Sequence, residues 1–101
     1  MVRTAISVID EIENAIHGVN ENKGILIYPN PFTTSTTITT EESDTYIRDI
    51  RIYSITGTLL RMEDDVNATE FEIKRDGMPI GIYELIIITN QGTSRYKLLV
   101  K

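Results

Sequence analysis

The chain has 101 residues, of which 41% are hydrophobic and 25% are charged, a composition typical of one globular domain and not of a disordered tail. Its formal net charge of -5 argues against nucleic-acid binding, which needs a clustered excess of Lys and Arg. The sequence contains no cysteine, which excludes disulfides, thiolate nucleophiles and cysteine metal ligands.

Residues 1–24 differ in pattern from the rest of the chain. Apolar side chains recur there at spacings of three and four, as on one face of a helix: Ile6, Ile9, Ile12, Ile16 and Val19. Since isoleucine is a mediocre helix former and a short isolated helix is marginal in water, a helix and an extended linker both stay open. Acidic residues at 10, 11 and 13 interrupt the apolar stretch, so we expect any secretory signal peptide to lie elsewhere. We predict a linker or the tail of a cargo protein.

From residue 25 onward the pattern is that of β-strands. Seven short segments are predicted, with turn signals about every ten residues: Ile25–Tyr28, Thr33–Thr40, Ile50–Tyr53, Thr58–Met62, Thr69–Ile73, Ile82–Thr89 and Arg95–Val100. The second segment is rich in Ser and Thr, so we expect it to be exposed or at a sheet edge. The sixth is almost wholly apolar and is expected to be a central strand covered on both faces. The fold class predicted is all-β, a β-sandwich of about seven strands.

No group of residues in the sequence suits catalysis. The only histidine, His17, lies outside the β region and is expected to be a solvated residue. The consecutive carboxylates Glu63–Asp65 follow a strand; we interpret them as a surface loop, with weak Ca²⁺ binding as the alternative. Gly77 and Gly81 lead into a strand and not a helix, so they do not form a phosphate loop. We expect no enzymatic activity, cofactor, metal or small-molecule substrate.

Four segments are unusual in ways that chemistry does not explain. The first, Ile27–Phe32, contains Pro29, Asn30 and Pro31, and its simplest explanation is a stiff turn, because proline fixes φ and restricts the residue before it. The others follow in chain order: Ile50–Leu60 with a turn at Thr56-Gly57, Met78–Ile86 with Gly81 and Tyr83, and the terminal Tyr96–Lys101.

In this order and spacing the four segments resemble the type A C-terminal sorting domain of the type IX secretion system, over residues 25–101. The resemblance implies an immunoglobulin-like β-sandwich at the end of an exported protein in Bacteroidota-type bacteria. It implies transit through the periplasm to the outer membrane, cell surface or medium, with outer-membrane components of the secretion machinery as partners. A sortase-like cysteine peptidase often removes such a domain, here within about residues 17–24.

The resemblance also implies which residues carry the recognition motif. The matching positions are Pro29, Asn30, Pro31, Gly57, Gly81, Tyr83, Lys97, Leu98, Leu99, Val100 and Lys101. One departure is Ile80, which stands where the family usually has a small residue. Because isoleucine is bulky, we expect the turn that contains it to be more buried.

The terminal segment has two distinct faces. Alternation predicts Tyr96, Leu98 and Val100 on one side, with the side chains of residues 97, 99 and 101 on the other. No acidic residue follows Glu84, so this end is basic. It is expected to offer an edge to which a partner adds a strand, and the alternative is that it is simply the last strand of the core.

A different class of function also stays open. A retained immunoglobulin-like module of a surface protein could be structural, a scaffold or carbohydrate-binding. Sugar platforms usually need exposed aromatic rings, and this chain has no Trp. We expect Tyr28, Tyr53 and Tyr83 in or near the core, which argues against that reading. The oligomeric state stays open.

Overall fold

The computed structural model describes residues 24–101, which form seven strands and contain no helix. The strands are β1 (Ile25–Tyr28), β2 (Ser35–Thr40), β3 (Ile47–Ser54), β4 (Leu59–Glu63), β5 (Glu70–Lys74), β6 (Gly81–Thr89) and β7 (Gly92–Val100). The seven predicted strands are confirmed, with β3 and β7 beginning earlier than expected. Within this part of the chain, no helix long and apolar enough to cross a membrane is found. The predictions for residues 1–23, including the linker or helix and His17, lie outside the described residues.

The strands form two sheets, and every strand pair is antiparallel. One sheet has the order β1-β2-β5, and the other has the order β4-β3-β6-β7. The core lies between them: Ile38 and Ile73 from the smaller sheet belong to one buried cluster with Ile50, Leu85 and Leu98 from the larger sheet. The β-sandwich is therefore confirmed, and the inward residues come from the alternate positions that strand periodicity requires.

The prediction that the Ser/Thr-rich segment is an exposed or edge strand was wrong. β2 is the central strand of its sheet, and Thr36, Ile38 and Thr40 are buried. The threonine hydroxyls can be buried because they are hydrogen-bonded: Thr36 Oγ1 donates to the Pro29 carbonyl at 2.6 Å, and Thr40 Oγ1 donates to the Thr45 carbonyl at 2.9 Å.

The sixth strand is central, as predicted, but only one of its faces is fully covered. On the inner face Tyr83, Leu85 and Ile87 are buried, whereas the outward residues Ile86 and Ile88 are half-buried. The apolar run therefore does not mark a strand that is buried on both sides.

Candidate recognition site

All four motif segments lie at one end of the sandwich. β6 begins there at Gly81, opposite Val100 near the end of β7, and Ser54 at the end of β3 pairs with Tyr83. Phe32 forms a parallel bridge with Val100. We call this region the motif end; it consists of residues 29–33, 54–58, 75–83 and 97–101.

The Pro-Asn-Pro segment moves the chain from one sheet to the other. β1 ends at Tyr28 in the three-stranded sheet, and Phe32 then lies beside β7 of the four-stranded sheet. The Phe32 N–H donates to the Leu99 carbonyl, and the Lys101 N–H donates to the Phe32 carbonyl, both at 2.9 Å. Both X-Pro bonds of the segment are cis. Because proline has no N–H, neither ladder can continue through these residues.

The side chain of Asn30 binds the edge of the terminal strand. Asn30 Oδ1 accepts from the Leu99 N–H at 2.9 Å, and Asn30 Nδ2 donates to the Lys97 carbonyl at 2.8 Å. In an antiparallel pair, backbone groups point alternately toward and away from the neighbouring strand, and these two residues of β7 point away from β6. The carboxamide therefore takes the place of a peptide group of a further strand, and it joins three predicted motif residues.

Arg75 joins two of the motif segments to Thr33, the residue that directly follows the first segment. Its Nε donates to the Met78 carbonyl at 2.8 Å. Its terminal nitrogen donates to the Thr33 carbonyl at 3.2 Å and to the Lys101 carbonyl at 3.3 Å. A guanidinium carries several donors in one rigid plane, which suits it to hold separate carbonyl groups together.

Gly81 and Tyr83 lie next to the terminal strand. Gly81 pairs with Val100 and Tyr83 pairs with Leu98, so this motif is the direct neighbour of the chain end. The Tyr83 ring is buried, and its hydroxyl donates to the Pro79 carbonyl at 2.6 Å. This bond closes the loop that precedes β6.

Gly57 shapes the turn between β3 and β4. Its N–H donates to the Ser54 carbonyl at 3.0 Å. Its φ is +97°, a backbone conformation that residues other than glycine rarely adopt. Gly57 belongs to the motif end, but no hydrogen bond links it to the chain terminus within the described residues.

The terminal residues divide by face as predicted. Tyr96, Leu98 and Val100 are buried in the core, and Lys97 is exposed on the other face. Leu99 also points away from the core, yet it is 3% exposed. Lys101 follows the strand and is exposed. Neither lysine forms an ion pair with another residue of the described chain.

Two expectations about burial at this end were wrong. Ile80 is 73% exposed, because the loop before β6 turns its side chain outward, whereas Met78 and Tyr83 on either side of it in the sequence are buried. Tyr28 is 71% exposed, because the alternation of β1 places Ile25 and Ile27 toward the core. Leu26 and Tyr28 therefore point outward. Tyr83 is buried as expected, and Tyr53 is half-buried.

The sequence placed Phe32 in the first motif segment but not among the recognition residues, and it did not identify Arg75. Phe32 is 1% exposed and pairs its backbone with β7. Its position directly after the Pro-Asn-Pro segment was the available signal. Arg75 is a single arginine in a turn, and no local pattern distinguishes it.

The acidic segment after β4 is bound by other protein groups. Asp64 forms an ion pair with Arg51 at 3.0 Å, and the Asp65 N–H donates to Asp49 Oδ1 at 3.0 Å. Among residues 24–101 no group of three acidic or histidine side chains is placed to hold a metal ion. Within the same residues, every buried side-chain nitrogen and oxygen has a hydrogen-bond partner.

Comparison with known proteins gives a family match over almost the whole described region. The family model described as a secretion system C-terminal sorting domain matches residues 26–101. No curated protein matches the sequence.

Several solved structures are similar to the chain. A DUF3244 family protein from Bacteroides vulgatus with an immunoglobulin-like β-sandwich fold has a TM-score of 0.55 at 19% identity, over 73% of this chain and 83% of that chain. This similarity supports the immunoglobulin-like fold alone. A superoxide reductase from Ignicoccus hospitalis has a TM-score of 0.41 at 16% identity, over 91% of each chain.

Proposed function

Because the chain belongs to the family of type IX secretion system C-terminal sorting domains, we propose that outer-membrane components of that machinery recognise it through the motif end. Membership supports a C-terminal sorting signal and export to the cell surface or medium. The finer parts of the proposal are the residues that carry the signal, the partners and the fate of the domain. The residues are Pro29, Asn30, Pro31, Gly57, Gly81, Tyr83, Lys97, Leu98, Leu99, Val100 and Lys101.

The observation that carries this proposal is the contact of Asn30 with Lys97 and Leu99. These residues are 67 and 69 positions apart from Asn30, yet one carboxamide bonds both. A component of the secretion machinery that binds the motif end therefore contacts the Pro-Asn-Pro segment and the terminal residues as one surface. Because Lys97 and Lys101 are exposed, their charges are available to a partner.

We further propose that the domain passes through the periplasm and is then removed by a sortase-like cysteine peptidase. The cut falls within about residues 17–24. This position is compatible with the fold, because the first strand begins at Ile25. Cleavage there releases the cargo and leaves all seven strands together.

A fusion experiment tests the proposal. A periplasm-directed fluorescent protein carries residues 1–101 at its C-terminus, in a bacterium that has the type IX machinery. The control carries residues 1–24 alone. We expect the full fusion in the medium or at the surface, with a mass that lacks the sandwich, and the control in the periplasm. Retention of the full fusion, folded and intact, would contradict the sorting function, whereas export without trimming would contradict only the cleavage.

One observation favours a second candidate, a retained module that binds carbohydrate. Tyr28 and Leu26, both exposed, lie on the same outward side of β1. An exposed aromatic ring is a platform for a sugar. Binding on a glycan array that is lost in Tyr28→Ala would favour this candidate.

A further inference from the structure

β7 is the edge strand of the four-stranded sheet, and its outer side is occupied over only part of its length. In an antiparallel pair, the backbone groups of every second residue point away from the neighbouring strand. The N–H and C=O groups of Thr93 and Arg95 therefore point away from β6, as those of Lys97 and Leu99 do. Among residues 24–101, no other strand pairs with β7 before Val100. We call the outward groups of Thr93 and Arg95 and the Lys97 N–H the open edge.

Asn30 and Phe32 define where the open edge ends. They occupy the Lys97 carbonyl and both backbone groups of Leu99. An added strand would therefore extend from the turn between β6 and β7 as far as Lys97, and it would stop at the Asn30 carboxamide. The register of a guest is thus limited on one side by a predicted motif residue.

The charges beside the open edge distinguish between possible guests. Arg95 is exposed, with 75% of its side chain accessible, and Lys97 is exposed on the same face. Glu84 of β6 lies directly opposite Lys97 and forms an ion pair with Arg95 at 3.0 Å. A guest strand would lie about 4.8 Å from β7 and twice as far from β6, so the two cations outweigh the single carboxylate. A second copy of β7 would instead place like charges side by side, which is unfavourable.

We propose that the open edge accepts an extended strand of the secretion machinery, with acidic residues at the alternate positions that face Arg95 and Lys97. The backbone bonds of strand addition would supply affinity, and the charges would select the partner. This inference rests on the proposed sorting function and names the chemistry of its partner.

Substitutions that change only the outward side of β7 test the inference in the fusion assay. Arg95→Pro removes the outward N–H of residue 95 and keeps every backbone hydrogen bond to β6. Edge strands tolerate a proline at a position whose N–H faces away from the sheet. The matched control Arg95→Ala removes the guanidinium and keeps the N–H. We expect Arg95→Pro to lower export at least about tenfold and Arg95→Ala to lower it by less than about threefold. Thr93→Pro is the second edge variant, in case Arg95→Pro does not fold by circular dichroism.

The charge requirement has its own variant, Lys97→Glu, which keeps the backbone donor. We expect a several-fold loss of export while the domain stays folded.

If the wild-type fusion is exported and the folded proline variants are exported equally, strand addition is wrong and the sorting function stands. If only Lys97→Glu is exported normally, the acidic guest is wrong. If the wild-type fusion is not exported, the sorting function fails and the inference fails with it. A dimer in light scattering that Arg95→Pro abolishes would show that a second copy occupies the edge, and would overturn the proposal.

Discussion

Asn30 accepts a hydrogen bond from the backbone N–H of Leu99, 69 residues further along the chain, at 2.9 Å. The same carboxamide donates to the Lys97 carbonyl. A side chain thus closes the end of an edge strand, which would otherwise be left to pair with any extended chain.

Asn30→Ala removes both bonds and leaves the Leu99 N–H without this acceptor. We expect the free energy of unfolding to fall by about 1–2 kcal/mol, measured by urea denaturation. The matched control is Asn90→Ala. The Asn90 carboxamide accepts from the Tyr46 N–H and donates to the Asp44 carbonyl, both at 2.8 Å, at the opposite end of the sandwich.

If the motif end is the recognised surface, the two variants lose similar stability but only Asn30→Ala lowers export. Equal export of the two variants would show that Asn30 has a structural role alone.

Arg75→Ala separates the three carbonyl groups that its guanidinium holds. We expect a loss of about 1–3 kcal/mol in the free energy of unfolding, because the bonds involve a charged donor. Arg48→Ala is the control, since Arg48 is exposed and forms no ion pair within residues 24–101; it should change stability by less than about 0.5 kcal/mol. Similar unfolding curves for the two variants would mean that Arg75 does not stabilise the motif end.

The two motif glycines should differ in their tolerance of alanine. At Gly57 the positive φ makes any side chain unfavourable although nothing lies within 4 Å, so Gly57→Ala should cost roughly 1 kcal/mol. At Gly81 an added Cβ would meet only the Tyr83 ring, at the ordinary distance of 3.9 Å, so Gly81→Ala should be close to neutral. Thermal unfolding of both variants measures the difference, and an equal loss would contradict this account of Gly57.

A cargo fused to the domain without residues 98–101 should stay inside the cell. The same deletion should also unfold the domain. Leu98 is fully buried and Val100 is 3% exposed, and each large side chain lost from a core costs about 2–5 kcal/mol. We expect no cooperative unfolding transition for the deletion variant. Lys101→Ala, at an exposed position, should unfold like the wild type. Export of Lys101→Ala then reports on recognition without a change in folding.

Tyr83→Phe removes the hydroxyl that bonds the Pro79 carbonyl and keeps the buried ring. We expect the free energy of unfolding to fall by about 0.5–1.5 kcal/mol. Denaturant titration at matched protein concentration measures the change. An unchanged midpoint would show that the loop before β6 is held by other contacts.

The positions of the strands could be predicted from the sequence because their signals are local. Alternating side chains, turn residues and prolines act within a few residues, and they determined all seven strands and the two faces of the terminal strand. The resemblance added which residues belong to the motif, since it depends on their order along the chain.

The arrangement of these strands was decided by tertiary structure. β2 is central and not exposed because its threonine hydroxyls find carbonyl partners at Pro29 and Thr45, which local pattern does not reveal. The exposure of Ile80 and the three bonds of Arg75 depend on loops that meet only once the sheets have packed. The sequence by itself determined that a Pro-Asn-Pro turn and a basic terminal strand exist; only the folded sandwich placed the Asn30 carboxamide on Leu99, because hydrogen bonds between distant segments require the register of every strand between them.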